Sequence, residues 1–237
     1  MNIQKIYVIA ALHGDEPFGL KVLAQLREFN DDRIIRQVGH PEAVAKRKMY
    51  IETDLNRCFG RDCEPSKEAK IAQHLIEDIA KHNPDLIIDI HTCECKVGKS
   101  TIIPKYSKEL IKISKLLKMD YVFVGVPQLI RLCLIGRYPR KAIIIELGQG
   151  RRSDALAESI AKRIVDLLQP EKVKNVSGKV PVYSASQFIK TRDAVDLEME
   201  NYVFNKALGG YPYLVGKNTY SKYYDYTGFL AKKVEKL

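Results

Sequence analysis

No apolar run in the 237 residues reaches the ~18 that a helix needs to span a bilayer, so a helical membrane protein is excluded. Internal repeats and low-complexity stretches are also missing, and neither a repeat array nor a disordered tract is expected. Cysteine is sparse and odd in number: Cys58, Cys63, Cys93, Cys95 and Cys133 are the only five. That count, in a chain this long, argues against a secreted disulfide framework and for a reducing cytoplasm. Nowhere do basic residues mass on one segment with interleaved aromatics. The runs KRK at 46–48 and RR at 151–152 are too short to form a nucleic-acid site.

What is present is a soluble globular composition with a basic excess. Lys and Arg number 39 against 29 Asp and Glu, a net charge of +10 that draws anions. With nucleic acid disfavoured, a carboxylate-bearing substrate is the better anion. The length accommodates a full α/β core and a small second unit, since domains cluster near ~100–150 residues. The opening MNIQKIYVIAALHGDE has an apolar stretch of signal-like length, but acidic residues follow at once and no small-residue cleavage site is evident. It reads as the first strand.

Apolar β-branched runs alternate with amphipathic helical patterns through the first 170 residues, which predicts a mixed, mostly parallel sheet flanked by helices. Strands are expected at 5–12, 33–38, 85–91, 100–104, 120–126 and 141–147. Helices are expected at 17–29, 66–82, 107–118 and 154–168, the second with Ala69, Ala72, Leu75, Ile76, Ile79 and Ala80 on one face and Pro84 closing it. Near Gln169-Pro170 the alternation stops. Residues 171–237 are rich in Tyr, Val and Gly with turn signals at SGK, LGGYP and GKN, and are expected to form a small β-rich C-terminal domain beside an α/β domain of residues 1–170.

The first strand ends at His13-Gly14-Asp15-Glu16-Pro17, a histidine and a carboxylate three apart on the sheet edge where α/β folds bind ligands. Glycine lets the turn bend, imidazole with carboxylate suits zinc, and Pro17 fits a helix start. Alone the pair also describes a helix-capping carboxylate beside an incidental histidine. The most apolar strand, LIIDIH, supplies the tie-breaker, because Asp89 and His91 are two apart and share one side of the sheet. His91 completes a His/Glu/His set that leaves one coordination position open, as in catalytic zinc sites. Asp89 is expected either to orient His13 or to make a structural hydrogen bond. In AIIIEL, five apolar residues surround the carboxylate Glu146. At the same sheet edge it can serve as a general base with a pKa raised by burial; the alternative is an ion pair with a nearby Arg or Lys. The loop Asp54-Leu55-Asn56-Arg57 sets an amide beside a guanidinium, a good receptor for a carboxylate.

In this order and spacing HGDE, DLNR, DIH and ELG resemble the aspartoacylase and succinylglutamate desuccinylase family, a branch of the zinc carboxypeptidase fold. The likeness extends over nearly the whole chain. HPEAVAKRKMYIETDLNRCF resembles the family's segment around its D-L-N-R motif, and SKYYDYTGFLAKKVEKL resembles its closing region. The resemblance implies one zinc ion per chain on His13, Glu16 and His91, a general base at Glu146, and substrate binding by Asn56, Arg57 and Tyr224. It implies cleavage of a linear amide bond in an N-acyl amino acid by metal-activated water, with the C-terminal domain capping the active site.

The chain departs from the family where substrate is recognised. Met49 stands where aspartoacylases carry an arginine before the tyrosine matching Tyr50, and Lys48 or Arg47 replaces it only if the loop shifts. Thr227 stands where the family has a lysine. A further family arginine ahead of the general-base strand has no match, with Arg131 and Arg137 merely nearby. N-acetylaspartate is therefore not assumed as the substrate, since a dicarboxylate wants several fixed cations.

Two other readings remain: a metallocarboxypeptidase-like hydrolase of peptides or peptide-like metabolites, and a non-catalytic metal-binding protein. A C-terminal lid that closes over the zinc favours small acyl amino acids, and an open groove favours peptides. Expected partners are a small anionic N-acyl amino acid, with no nucleic acid and no membrane; homo-oligomerisation is left open. Cys93 and Cys95 are read as incidental, His40, His74 and His82 as solvent-facing or capping, and the tyrosines at 220, 223, 224 and 226 as packing residues.

Overall fold

The computed structural model describes residues 2–61, 63–150, 152–194, 197–216 and 224–234. Tyr220, Tyr223, Arg151 and the outer parts of the closing segment lie outside them. The elements run β1 (Ile6–Ala10), α1 (Phe18–Glu28), β2 (Ile34–Val38), α2 (Pro41–Lys46), α3 (Lys67–His82), β3 (Leu86–Thr92), β4 (Lys99–Ile103) and α4 (Lys108–Leu116). They continue with β5 (Tyr121–Val124), α5 (Pro127–Ile130), α6 (Leu134–Arg137), β6 (Ala142–Leu147), α7 (Asp154–Asp166), α8 (Pro170–Lys174), β7 (Val182–Lys190), β8 (Tyr211–Tyr213) and β9 (Tyr226–Lys233). Every strand and helix expected before residue 170 forms within two residues of its predicted bounds. Among the described residues no helix is long and apolar enough to cross a membrane.

Among the described residues the strands join one nine-stranded sheet in the order β2-β1-β3-β6-β4-β5-β7-β9-β8. Strands β2, β1, β3 and β6 are mutually parallel, β4 is antiparallel to β6, and β5 and β7 follow β4 in parallel. Beyond residue 170 the β-rich stretch therefore continues the same sheet, with β9 and β8 added antiparallel.

Side chains alternate across each strand and feed two cores. Ile6, Val8 and Ala10 of β1, Leu86, Ile88 and Ile90 of β3, and Ile143, Ile145 and Leu147 of β6 pack on the face covered by α1, α4 and α7. Tyr7, Ile9, Ile87, Ala142 and Ile144 face the other way, toward α3. Asp89, His91 and Glu146 share that second face by the same alternation. Serines cap three of the helices: Ser66 accepts from Ala69 N, Ser107 from Leu110 N and Ser153 from Leu156 N.

Helix α3 is rotated slightly from its expected orientation. Its buried positions are Glu68, Ala72, Leu75 and Ile79, while Ala80, assigned to the buried face, is exposed. On the buried side Glu68 is fully buried and accepts from His40 Nε2 at 3.0 Å and from the backbone N–H of Ile51, Glu52 and Thr53. Of the two readings of His40, the capping one holds. It does cap α2, its Nδ1 accepting from Ala43 N, but it is fully buried, not solvent-facing. His74 is exposed as expected. Cys93 and Cys95, read as incidental, are joined by a disulfide where the chain turns between β3 and β4.

Candidate active site

Strand β1 ends in a sharp reversal, with Ala11 in the left-handed region at φ 57°. His13 and Glu16 are thereby delivered to the carboxyl edge of the sheet. Gly14 is required by a close approach: a Cβ there would lie 2.1 Å from the carbonyl carbon of Ala43 at the start of α2. The tight seat of α2 against this turn, more than the backbone freedom expected of glycine, makes that position intolerant of any side chain.

His91 comes from the end of β3 and pairs in register with Glu146 on β6. His13, Glu16 and His91 each turn one ligand atom inward, all within 4.8 Å of one another. Nδ1 of His13 lies 2.7 Å from Glu16 Oε1, and Nδ1 of His91 lies 3.2 Å from Glu16 Oε2. Thr92 N donates to Glu16 Oε2 at 2.8 Å and fixes the carboxylate.

The outward nitrogens are held by two aspartates, and the pairing corrects the expected one. Asp89 contacts His91 Nε2 at 2.9 Å, whereas His13 Nε2 is held by Asp54 at 3.0 Å. Period-2 alternation placed Asp89 on the correct face but left open which ring it reaches, and its own strand neighbour is nearest. Asp54 was read only as part of a carboxylate-binding loop. Its signal in sequence was its place as a cap: it accepts from Asn56 N at 2.8 Å and turns the chain through residues 55–57. Tyr224 also donates to Asp54, at 2.9 Å.

Electrostatics mark this as a place for positive charge. Burial lowers the pKa of His13, but Asp54 and Glu16 overcome it and hold the ring charged to about 10. His91 is likewise raised by Asp89 and Glu16 against burial. Burial pushes Glu16 up, yet the two rings bring it down to about 2. Two imidazoles and a carboxylate facing one point, each ring backed by a carboxylate, form the donor set of a divalent-metal centre.

Glu146 behaves oppositely. Burial first and Glu16 second raise it to about 8. Its Oε1 is buried without a hydrogen-bond partner among the described residues, an exception to the usual pairing of buried polar atoms that calls for an explanation. The expected alternative, an ion pair with Arg or Lys, is absent for Glu146 among the described residues. It faces a cavity of about 380 Å³ that is also lined by His13, Glu16, His91, Asn56 and Arg57. A buried oxygen aimed into such a space fits a reacting water beside a metal.

The remaining sequence candidates separate. Asn56 lines the cavity, its Oδ1 accepting from Leu134 N at 3.0 Å. Arg57 lines it too, donating to Asn56 O at 2.9 Å and to Cys133 Sγ at 3.3 Å. Tyr224 is turned toward Asp54, with the Arg57 guanidinium 5.8 Å above its ring. Met49 lines the cavity, whereas Arg131 and Arg137 are exposed. Asp15, Thr92 and Glu94 line it as well and were not singled out in the sequence.

An open mixed sheet carrying a His/Glu/His cluster and an unpaired buried carboxylate at its edge defines a metallohydrolase-like architecture. Residues 2–169 match the family model of the succinylglutamate desuccinylase/aspartoacylase catalytic domain. The chain belongs to this family. Over 128 residues it is 29% identical to a probable aspartoacylase of Trichodesmium erythraeum, a match spanning 48% of this chain and 43% of that protein. The matched stretch is thus less than half of that relative's length. The fold resembles that of the succinylglutamate desuccinylase of Chromobacterium violaceum, with a TM-score of 0.77 at 16% identity, covering 99% of this chain and 86% of that one. A metallo-carboxypeptidase from Burkholderia cenocepacia shares the fold more distantly, with a TM-score of 0.55 at 14% identity over 71% of this chain and 58% of that one.

Proposed function

We propose that the protein is a zinc-dependent hydrolase that cleaves the amide bond of an N-acyl amino acid. The observation that carries this reading is the convergence of His13, Glu16 and His91 on one point with the unpartnered Glu146 Oε1 in the same cavity. Bound by those three side chains, zinc would acidify a water and polarise the amide carbonyl. Glu146, facing the same cavity, takes a proton from the attacking water and returns it to the leaving nitrogen. Asp54 and Asp89 hold His13 and His91 with Nδ1 turned inward. Asn56 and Arg57 receive the substrate carboxylate, and Tyr224 braces their turn through Asp54.

Tyr213, Leu214 and Phe229, all beyond residue 170, wall the cavity. A wall built from the C-terminal residues favours a small acyl amino acid over a peptide in an open groove. The test is metal content of the purified protein, followed by hydrolysis of N-acetyl, N-succinyl and N-formyl amino acids with and without chelator. About one zinc per chain with chelator-sensitive release of an amino acid is expected. Zinc without turnover on any of these would move the assignment to peptide hydrolysis or metal binding alone.

A further inference from the structure

The cavity has two unlike halves, and sheet register explains why. One row of paired residues runs Asp89 on β3, Ile144 on β6, Ile102 on β4 and Phe123 on β5. It passes from a buried carboxylate to three apolar side chains over four adjacent strands, all on the cavity face. Ile144 lies two residues before Glu146, so both point the same way. The apolar floor therefore begins beside the proposed base and extends away from the metal ligands.

Further residues close that half. Phe123 stacks on Tyr213 at 3.9 Å between ring centroids, and Phe229 lies 6.0 Å from Phe123. Val126, Leu129 and Ile130, in and around α5, also line the cavity. Gly125 holds the wall close, because a Cβ there would meet Ile130 Cδ1 at 2.4 Å. Arg57 is the one lysine or arginine among the described residues that line the cavity. It is anchored on Cys133, a few residues past that same wall.

We infer that the pocket selects N-acyl amino acids whose side chain is apolar, aliphatic or aromatic, and rejects acyl-aspartate and acyl-glutamate; this rests on the hydrolase reading above. A single guanidinium matches a single α-carboxylate. With that carboxylate on Arg57, the side chain on the adjoining carbon projects over Ile102, Ile144 and Phe123. A second carboxylate placed there would be desolvated against hydrocarbon with no further lysine or arginine among the described lining residues to pair it, which is costly. An apolar side chain gains by the burial. Met49 adds a further apolar side chain to the cavity wall.

The test compares kcat/KM of the zinc-supplemented protein for the N-acetyl derivatives of leucine, methionine, phenylalanine, aspartate and glutamate, and for N-succinylglutamate. Calorimetric binding of N-acetylphenylalanine and N-acetylaspartate to Glu146→Gln is measured alongside. The apolar substrates are expected to exceed the acidic ones by about 100-fold or more. Leu129→Arg, at a half-buried wall position outside the sheet, is expected to cut that ratio at least ~10-fold. Thermal melting of the variant confirms folding. Preference for an acidic substrate would overturn the inference and leave the hydrolase reading standing. No turnover, with tighter binding of N-acetylphenylalanine, would support the inference while the hydrolase reading fails. Neither turnover nor a binding preference would overturn both.

Discussion

Two buried histidine and carboxylate clusters lie near each other in sequence and share the same chemistry, yet they differ in what remains open. In one, His40 and Glu68 are fully buried, and Glu68 is saturated by His40 and the N–H groups of Ile51, Glu52 and Thr53. Every bond made there ties a loop to α2 and α3. In the other, His13, His91, Glu16, Asp54 and Asp89 bond outward to the scaffold while three ligand atoms and Glu146 face a cavity. Burial and pairing alone do not separate a structural from a reactive histidine. The direction in which the unsatisfied atoms point does.

The largest expected effect breaks the open cluster at its base. Glu146→Gln should retain zinc and lower kcat by about 10²–10⁴-fold, measured by metal analysis and single-turnover kinetics on the best substrate. Activity near wild type would remove Glu146 from the mechanism. The closed cluster should respond in stability instead. Glu68→Gln is expected to cost about 3 kcal/mol in urea unfolding without changing metal content.

The closed cluster also has a pH signature. Burial pushes the Glu68 pKa up, but His40 and the backbone donors bring it below the usual glutamate value of 4.5. A carboxyl group whose folded pKa is depressed contributes its full stability above the unfolded value and loses it as pH falls through the folded one. Wild-type stability should therefore decline as pH drops below about 4.5, with a shallower slope in Glu68→Gln. Equal slopes would show that the bonds to Glu68 do not favour its charged form.

A smaller effect sharpens the contrast. Asp54→Asn should weaken zinc binding about 10–100-fold, read by competition with a chromophoric chelator, because His13 loses the carboxylate that orients it. Least of all, His74→Ala on the exposed side of α3 should change neither metal content nor stability by more than about 0.5 kcal/mol. A larger loss would mean that histidine exposure is a poor guide in this protein.

Much of the site's location was legible in the sequence. His13, Glu16, His91 and Glu146 stand at the ends of apolar strands, and parallel strands deliver their carboxyl ends to a common edge. Period-2 alternation sets the face of Asp89 and His91 once LIIDIH is known to be a strand. The partner swap between Asp54 and Asp89 was not legible, because it depends on how a loop 41 residues beyond His13 folds back onto it. The burial of His40 was hidden for the same reason, since its partner Glu68 comes from a helix 28 residues away.

Sequence by itself determined the elements, the two faces of each strand and the polar groups at the sheet edge, because these follow from local periodicity and from residues that cannot be buried alone. Only tertiary structure decided strand order, the antiparallel insertion of β4 beside β6, and with it the row that sets Ile102 against Ile144 and Phe123. Hydrogen bonding between strands is indifferent to side-chain identity, so neighbours far apart in sequence are chosen by the packing of the whole sheet. The polar half of the cavity was written in strand-end motifs, and its apolar half exists only where four strands meet in register.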